Sequence, residues 1–83
     1  MKKIINKKTY NTETANVISK FVFGEFGDPE GYEETLMQTQ RGLFFIYGFG
    51  GNESKYCEET IVPLTEKEAQ LWIKENESNS HNL

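Results

Sequence analysis

The chain has a single cysteine, Cys57, a single histidine, His81, and two prolines in its 83 residues. One cysteine excludes an internal disulfide, so a reducing, intracellular setting is the expectation. Nothing beside Cys57 marks it as an activated thiol, and an inert, half-buried cysteine is expected. His81 falls in a polar C-terminal run, which removes the usual base for a Cys-His or Ser-His arrangement. No apolar run approaches the ~20 residues of a membrane span. The N-terminus, MKKIINKKTY, has lysines but no apolar core of signal-peptide length. A cytoplasmic protein is the expectation.

Positive charge is also scarce, with nine basic residues against thirteen acidic ones for a net −4. An acidic chain does not attract nucleic acid as a whole. The sign suits contact with a basic protein surface, or simply keeps a small domain soluble. The exception is the first ten residues, where Lys2, Lys3, Lys7 and Lys8 cluster. Lysines there protect a sheet edge from aggregation or, alternatively, touch a phosphate backbone.

What the chain does have is a central pair of strands. Thr35, Met37 and Thr39 alternate with Leu36 and Gln38, and Leu43, Phe45 and Tyr47 alternate with Phe44 and Ile46. Period-two spacing of β-branched and aromatic residues predicts strands. Thr39-Gln40-Arg41-Gly42 predicts the turn between them, with Gly42 free to take positive φ. The second arm is apolar on both faces, as a central strand would be.

Further elements follow on either side. Residues 2–10 predict a small hairpin turning at Asn6-Lys7, since Asn tolerates left-handed geometry. Asn11 to Thr14 predicts a polar turn. Residues 15–23 predict a strand, with Val17, Ser19, Phe21 and Phe23 on one face; a helix is the alternative. GEFGDPEG, Gly24 to Gly31, predicts a loop containing a type I turn at Asp28-Pro29-Glu30-Gly31, with Phe26 folded back onto the sheet. Gly48 to Gly51 predicts a reversing turn. GFGGNESK lacks the spacing of a phosphate-binding loop. Ile61 and Val62 predict a short last strand ended by Pro63.

The clearest local signal is LTEKEA, Leu64 to Ala69, a capping box in which Thr65 and Glu68 satisfy each other's backbone N–H groups. The helix is expected from Glu66 to about Asn76, with Ala69, Trp72 and Ile73 on its buried side. The fold class is then α+β: a small antiparallel sheet of four to five strands packed on one C-terminal helix, leaving one face uncovered for contact. Residues 1–76 form one domain and 77–83 a flexible tail.

No catalytic constellation is apparent, and no cofactor motif. Glu33-Glu34 and Glu58-Glu59 could hold a metal only if one member of each met across the fold, because neighbours on a strand point to opposite faces. The alternative reading is a contact surface. Tyr10, Phe26, Tyr32, Tyr47, Phe49 and Tyr56 are too many for so small a core, and aromatics beside acids suit a protein-binding face. The candidate partner-binding residues are Glu25, Phe26, Asp28, Glu30, Glu33, Glu34, Phe49, Glu53, Tyr56, Glu58 and Glu59.

KKIINKKTYNTETA, then EETL, GLFFIYGFGG and SKY, then IVPLTEKEAQLW, together resemble a group of short proteins carried by phages and mobile elements of low-GC Gram-positive bacteria. The resemblance spans roughly residues 2–73. Asn6-Lys7 stands where that group has Asn-Gly, Asn11 where it has Asp, and Tyr47 where His is common. Some of its members look like anti-CRISPR proteins. The resemblance implies a small non-enzymatic inhibitor that binds a type II CRISPR effector nuclease or its guide complex. If that His is functional in the group, its replacement by Tyr47 favours binding over catalysis. Two other readings stand beside it: a metal-dependent nuclease acting on guide RNA, with Lys55 or Arg41 holding phosphate, and a small homodimeric regulatory or structural module.

Overall fold

The structure, a computed structural model, describes residues 1–25 and 27–80, the last four as helix backbone alone. Phe26 and His81 lie outside the described residues. In chain order the elements are β1 (Lys2–Ile5), β2 (Lys8–Asn11), β3 (Asn16–Phe23), β4 (Tyr32–Gln38), β5 (Phe44–Gly50), β6 (Thr60–Leu64) and α1 (Glu66–Ser80). The class is α+β: a four-stranded antiparallel sheet of order β3-β4-β5-β6, a separate β1-β2 sheet and the C-terminal helix. No helix among the described residues is long and apolar enough to cross a membrane.

The central hairpin forms where the alternation places it. Leu36 pairs with Ile46 and Met37 with Phe45. The turn closes through the Gly42 N–H donating to the Thr39 carbonyl at 2.9 Å, with Gly42 at φ 91°. At its other end the hairpin is longer than expected. Gly48, Phe49 and Gly50 continue β5 opposite Glu34, Glu33 and Tyr32 instead of reversing the chain. Glycine serves close approach here: a Cβ on Gly48 would stand 2.6 Å from the Tyr56 ring.

Residues 16–23 are a strand, with an irregularity the alternation did not show. Val17 pairs with Met37 and Ser19 with Leu36, so Ile18 is the extra residue of a bulge. An inserted residue moves everything beyond it to the opposite face. Ser19, Phe21 and Phe23 therefore share the face of Leu36 and Tyr32, while Val17 lies on the face of Met37. Pro63 does not end β6 but pairs with Phe45 inside it. β6 is an edge strand, the place in a sheet where a residue without an N–H is tolerated.

Each face of the sheet has its own core. On one, Leu36 and Ile46 pack against Ala69 of α1, joined by Phe44, Leu64, Trp72 and Ile73. On the other, Met37, Phe45 and Ile61 pack against Tyr10 of β2, whose ring meets Phe45 edge-on at 5.5 Å. Burying a Leu or Phe side chain contributes about 1.5–3 kcal/mol, and Leu36 and Phe45, one per face, are both fully buried. The face expected to stay uncovered is thus partly roofed by the N-terminal hairpin. That hairpin turns at Asn6 (φ 51°) and Lys7 (φ 66°); lysine accepts left-handed geometry at a cost of about 1 kcal/mol.

The capping box forms as its sequence dictates. The Thr65 N–H donates to Glu68 Oε1 at 2.9 Å and the Glu68 N–H to Thr65 Oγ1 at 3.1 Å. The helix then runs to Ser80, four residues past Asn76.

Candidate protein-binding face

At the end of the sheet away from the Gly42 turn, β3, β4 and β5 meet two loops around a cleft of about 460 Å³. The turn expected at Asp28 forms, with the Gly31 N–H donating to the Asp28 carbonyl at 3.0 Å and the Glu30 N–H to Asp28 Oδ1 at 2.9 Å. The loop after β5 is tied to it: the Gly51 N–H donates to the Gly31 carbonyl and the Glu53 N–H to the Pro29 carbonyl, each at 2.9 Å. Ser54 Oγ closes that loop by donating to the Gly51 carbonyl at 2.7 Å. A Cβ on Gly51 would collide with the Pro29 backbone, so the seam between the loops needs glycine.

The cleft is apolar within and acidic around. Val22 is 59% exposed, Phe23 49% and Phe49 40%, large fractions for apolar side chains. Glu25, Asp28 and Glu33 also line it, and Glu30 belongs to the adjoining turn. Glu33 is paired with Lys20. Exposed apolar surface gathered in one concavity marks a contact site more strongly than scattered apolar residues do.

Of the residues singled out from sequence, Glu25, Asp28, Glu33 and Phe49 meet at this cleft, and Glu53 sits in the loop tied to it. Glu34 does not belong there. It is 8% exposed, on the helix side of β4, and offers no charge to a partner. Its carboxylate accepts from the Tyr56 hydroxyl at 2.5 Å and the Trp72 indole N–H at 3.3 Å, and pairs with Lys55 Nζ at 3.2 Å. Lys55 stands over the Tyr32 and Tyr56 rings, 5.0 and 5.2 Å from their centroids. Tyr56 is thereby a linking residue between loop and sheet, half-buried, rather than a free contact aromatic. Burial, reinforced by its bond to Glu34, pushes its phenol well above the ordinary value.

Glu58 and Glu59 are exposed beyond this network. Glu59 accepts the Tyr47 hydroxyl at 2.5 Å, and that bond, ahead of burial, raises the Tyr47 phenol. Glu33 and Glu34 point to opposite sides of the sheet, each with its own lysine, and no group of three or more His, Cys, Asp or Glu among the described residues could hold a metal ion. Cys57 is exposed rather than half-buried, since the 51–59 connection carries it outside both cores. Val22 and Phe23 were missed as site residues. Their alternation marked them as strand, but only the bulge and the position of β3 at the sheet edge leave them open.

No protein-family model, curated protein or solved structure matches the chain significantly.

Proposed function

We propose that the protein is a small non-enzymatic binding module that inhibits a host immune effector on behalf of a phage or mobile element. Its target in this reading is a type II CRISPR effector nuclease or its guide complex, met in the cytoplasm of the bacterial host. The single observation that carries the binding part is the cleft at this end of the sheet, lined by the exposed Val22 and Phe49 on the Glu33 face and by Phe23 on the Tyr32 face, with Glu25 and Asp28 beside them. An apolar centre supplies affinity, and an acidic surround selects a basic partner surface such as a channel built to hold nucleic acid. The choice of a CRISPR effector rests on the sequence resemblance, which spans most of the chain.

The test is target-DNA cleavage by a guide-loaded type II effector with and without the protein, followed by a denaturing gel of the guide. The expected result is lost cleavage with an intact guide. Phe49→Ala combined with Glu25→Lys is expected to restore cleavage while remaining folded. Unchanged cleavage with the native protein rules out this target, and a shortened guide rules out the non-enzymatic mechanism.

A further inference from the structure

The opposite end of the β4-β5 hairpin carries a second cleft of the contrary charge. β4 is seven residues long, so the two ends are separated by roughly 20 Å along the strand. This second cleft, of about 330 Å³, lies between the β1-β2 hairpin and the Gln40-Arg41 turn, and Lys2, Lys7, Lys8 and Arg41 line it. No Asp or Glu is among its lining residues. None of the four cations forms an ion pair among the described residues. In a chain of net −4, four of nine basic residues are gathered at one concavity.

Two hairpin turns present these cations, Asn6-Lys7 between the paired Ile5 and Lys8 and Gln40-Arg41 between β4 and β5. Arg41 sits in a turn held by the Gly42 N–H to Thr39 carbonyl bond and by Gln38 Nε2 donating to the Gly42 carbonyl at 3.4 Å. Thr39 Oγ1 accepts the Leu43 N–H at 3.0 Å, which leaves its own hydroxyl proton to donate into the cleft. Lys7 occupies a left-handed position where a two-residue hairpin turn ordinarily has glycine. A lysine held there against its backbone preference brings a cation to the cleft that glycine would not.

We infer that this cleft binds a compact phosphorylated ligand, of the class of pyrophosphate and nucleoside diphosphates. Four exposed cations around one cleft suit a ligand that carries more than one negative charge. Arg and Lys together suit phosphate oxygens, Arg through its planar fork and Lys as a point charge. The volume lies at the small end of ligand pockets, which run about 300–1,000 Å³. A long nucleic-acid strand fits less well, because outside the cleft the chain has five basic residues against thirteen acidic ones.

The experiment is isothermal titration of the full chain with pyrophosphate, with ADP and with a short single-stranded RNA, at low and at raised salt. Pyrophosphate and ADP are expected to bind saturably, to compete with each other and to weaken as salt rises. Lys8→Glu and Arg41→Glu each reverse one charge and are expected to weaken binding by about tenfold or more. Lys3→Glu, outside the cleft, is expected to leave it unchanged; circular dichroism confirms the fold of all three. The inference is overturned if neither phosphate compound binds saturably at low salt. It is overturned equally if Lys3→Glu weakens binding as much as Lys8→Glu, which would show a diffuse charge effect. RNA binding that pyrophosphate fails to displace would assign the cleft to a strand and also overturn it.

Discussion

The Trp72 indole N–H donates to Glu34 Oε1 at 3.3 Å, joining helix to sheet across 38 residues of sequence. The same carboxylate receives the Tyr56 hydroxyl and pairs with Lys55, so α1, β4 and the 51–59 connection converge on one buried acid. Truncating one partner of such a group leaves the others unsatisfied in a site that water does not reach freely.

Glu34→Gln keeps the shape but removes the charge. Its amide offers one acceptor oxygen where the carboxylate offers two, so either Tyr56 or Trp72 loses its acceptor. The variant is expected to be less stable by about 1–3 kcal/mol, measured as a lower urea midpoint with an unchanged denaturant slope. An unchanged midpoint would mean the network is not a support of the fold.

Tyr56 and Tyr47 hold their protons more tightly in the folded chain than in the unfolded one. A raised folded pKa gives stability that is complete below the ordinary phenol value of about 10 and declines as pH rises past it. Melting temperature is therefore expected to fall above pH ~10. Tyr56→Phe should lose less over that interval than the native chain, because the residue that resists ionisation is gone. Parallel curves for the two proteins would contradict the assignment.

Gly48→Ala sets a methyl group against the Tyr56 ring, 2.6 Å from its nearest atom. Overpacking of this kind costs about 1–3 kcal/mol. Tyr56→Ala opens the space the methyl group needs, so in a double-mutant cycle the alanine at position 48 should cost far less on that background. Additive effects would show that the ring is not what Gly48 accommodates.

Thr65→Ala removes the side-chain acceptor for the Glu68 N–H. The expected loss is about 1 kcal/mol, read from thermal unfolding. Thr65→Ser, which keeps the hydroxyl, should recover most of it.

Phe49→Ala is expected to change stability by less than about 1 kcal/mol, because its ring is already 40% exposed. Any loss of partner binding in that variant, measured by pull-down against the native chain, can then be ascribed to the face and not to unfolding.

Local features were legible because their causes are local. The Asn6-Lys7 turn, the Asp28 turn, the Gly42 turn and the Thr65-Glu68 cap each depend on residues within four positions of one another. Alternation alone determined that residues 35–47 form a hairpin, and the spacing of Ala69, Trp72 and Ile73 determined which side of the helix is buried. Tertiary structure decided what pattern could not carry. The bulge at Ile18 moved Phe21 and Phe23 to the face of Tyr32, because the pairing register of β3 depends on a partner strand. Gly48 and Gly50 stayed in β5, because the need for glycine there comes from the Tyr56 ring and the Gly31 carbonyl, not from a turn. Pro63 was allowed in β6 only by its place at the sheet edge. Glu34 became a buried acceptor, whereas Glu25, Asp28 and Glu33 reached a cleft. A carboxylate has one sequence symbol whether it is solvated or enclosed, and only the packing around it settles which.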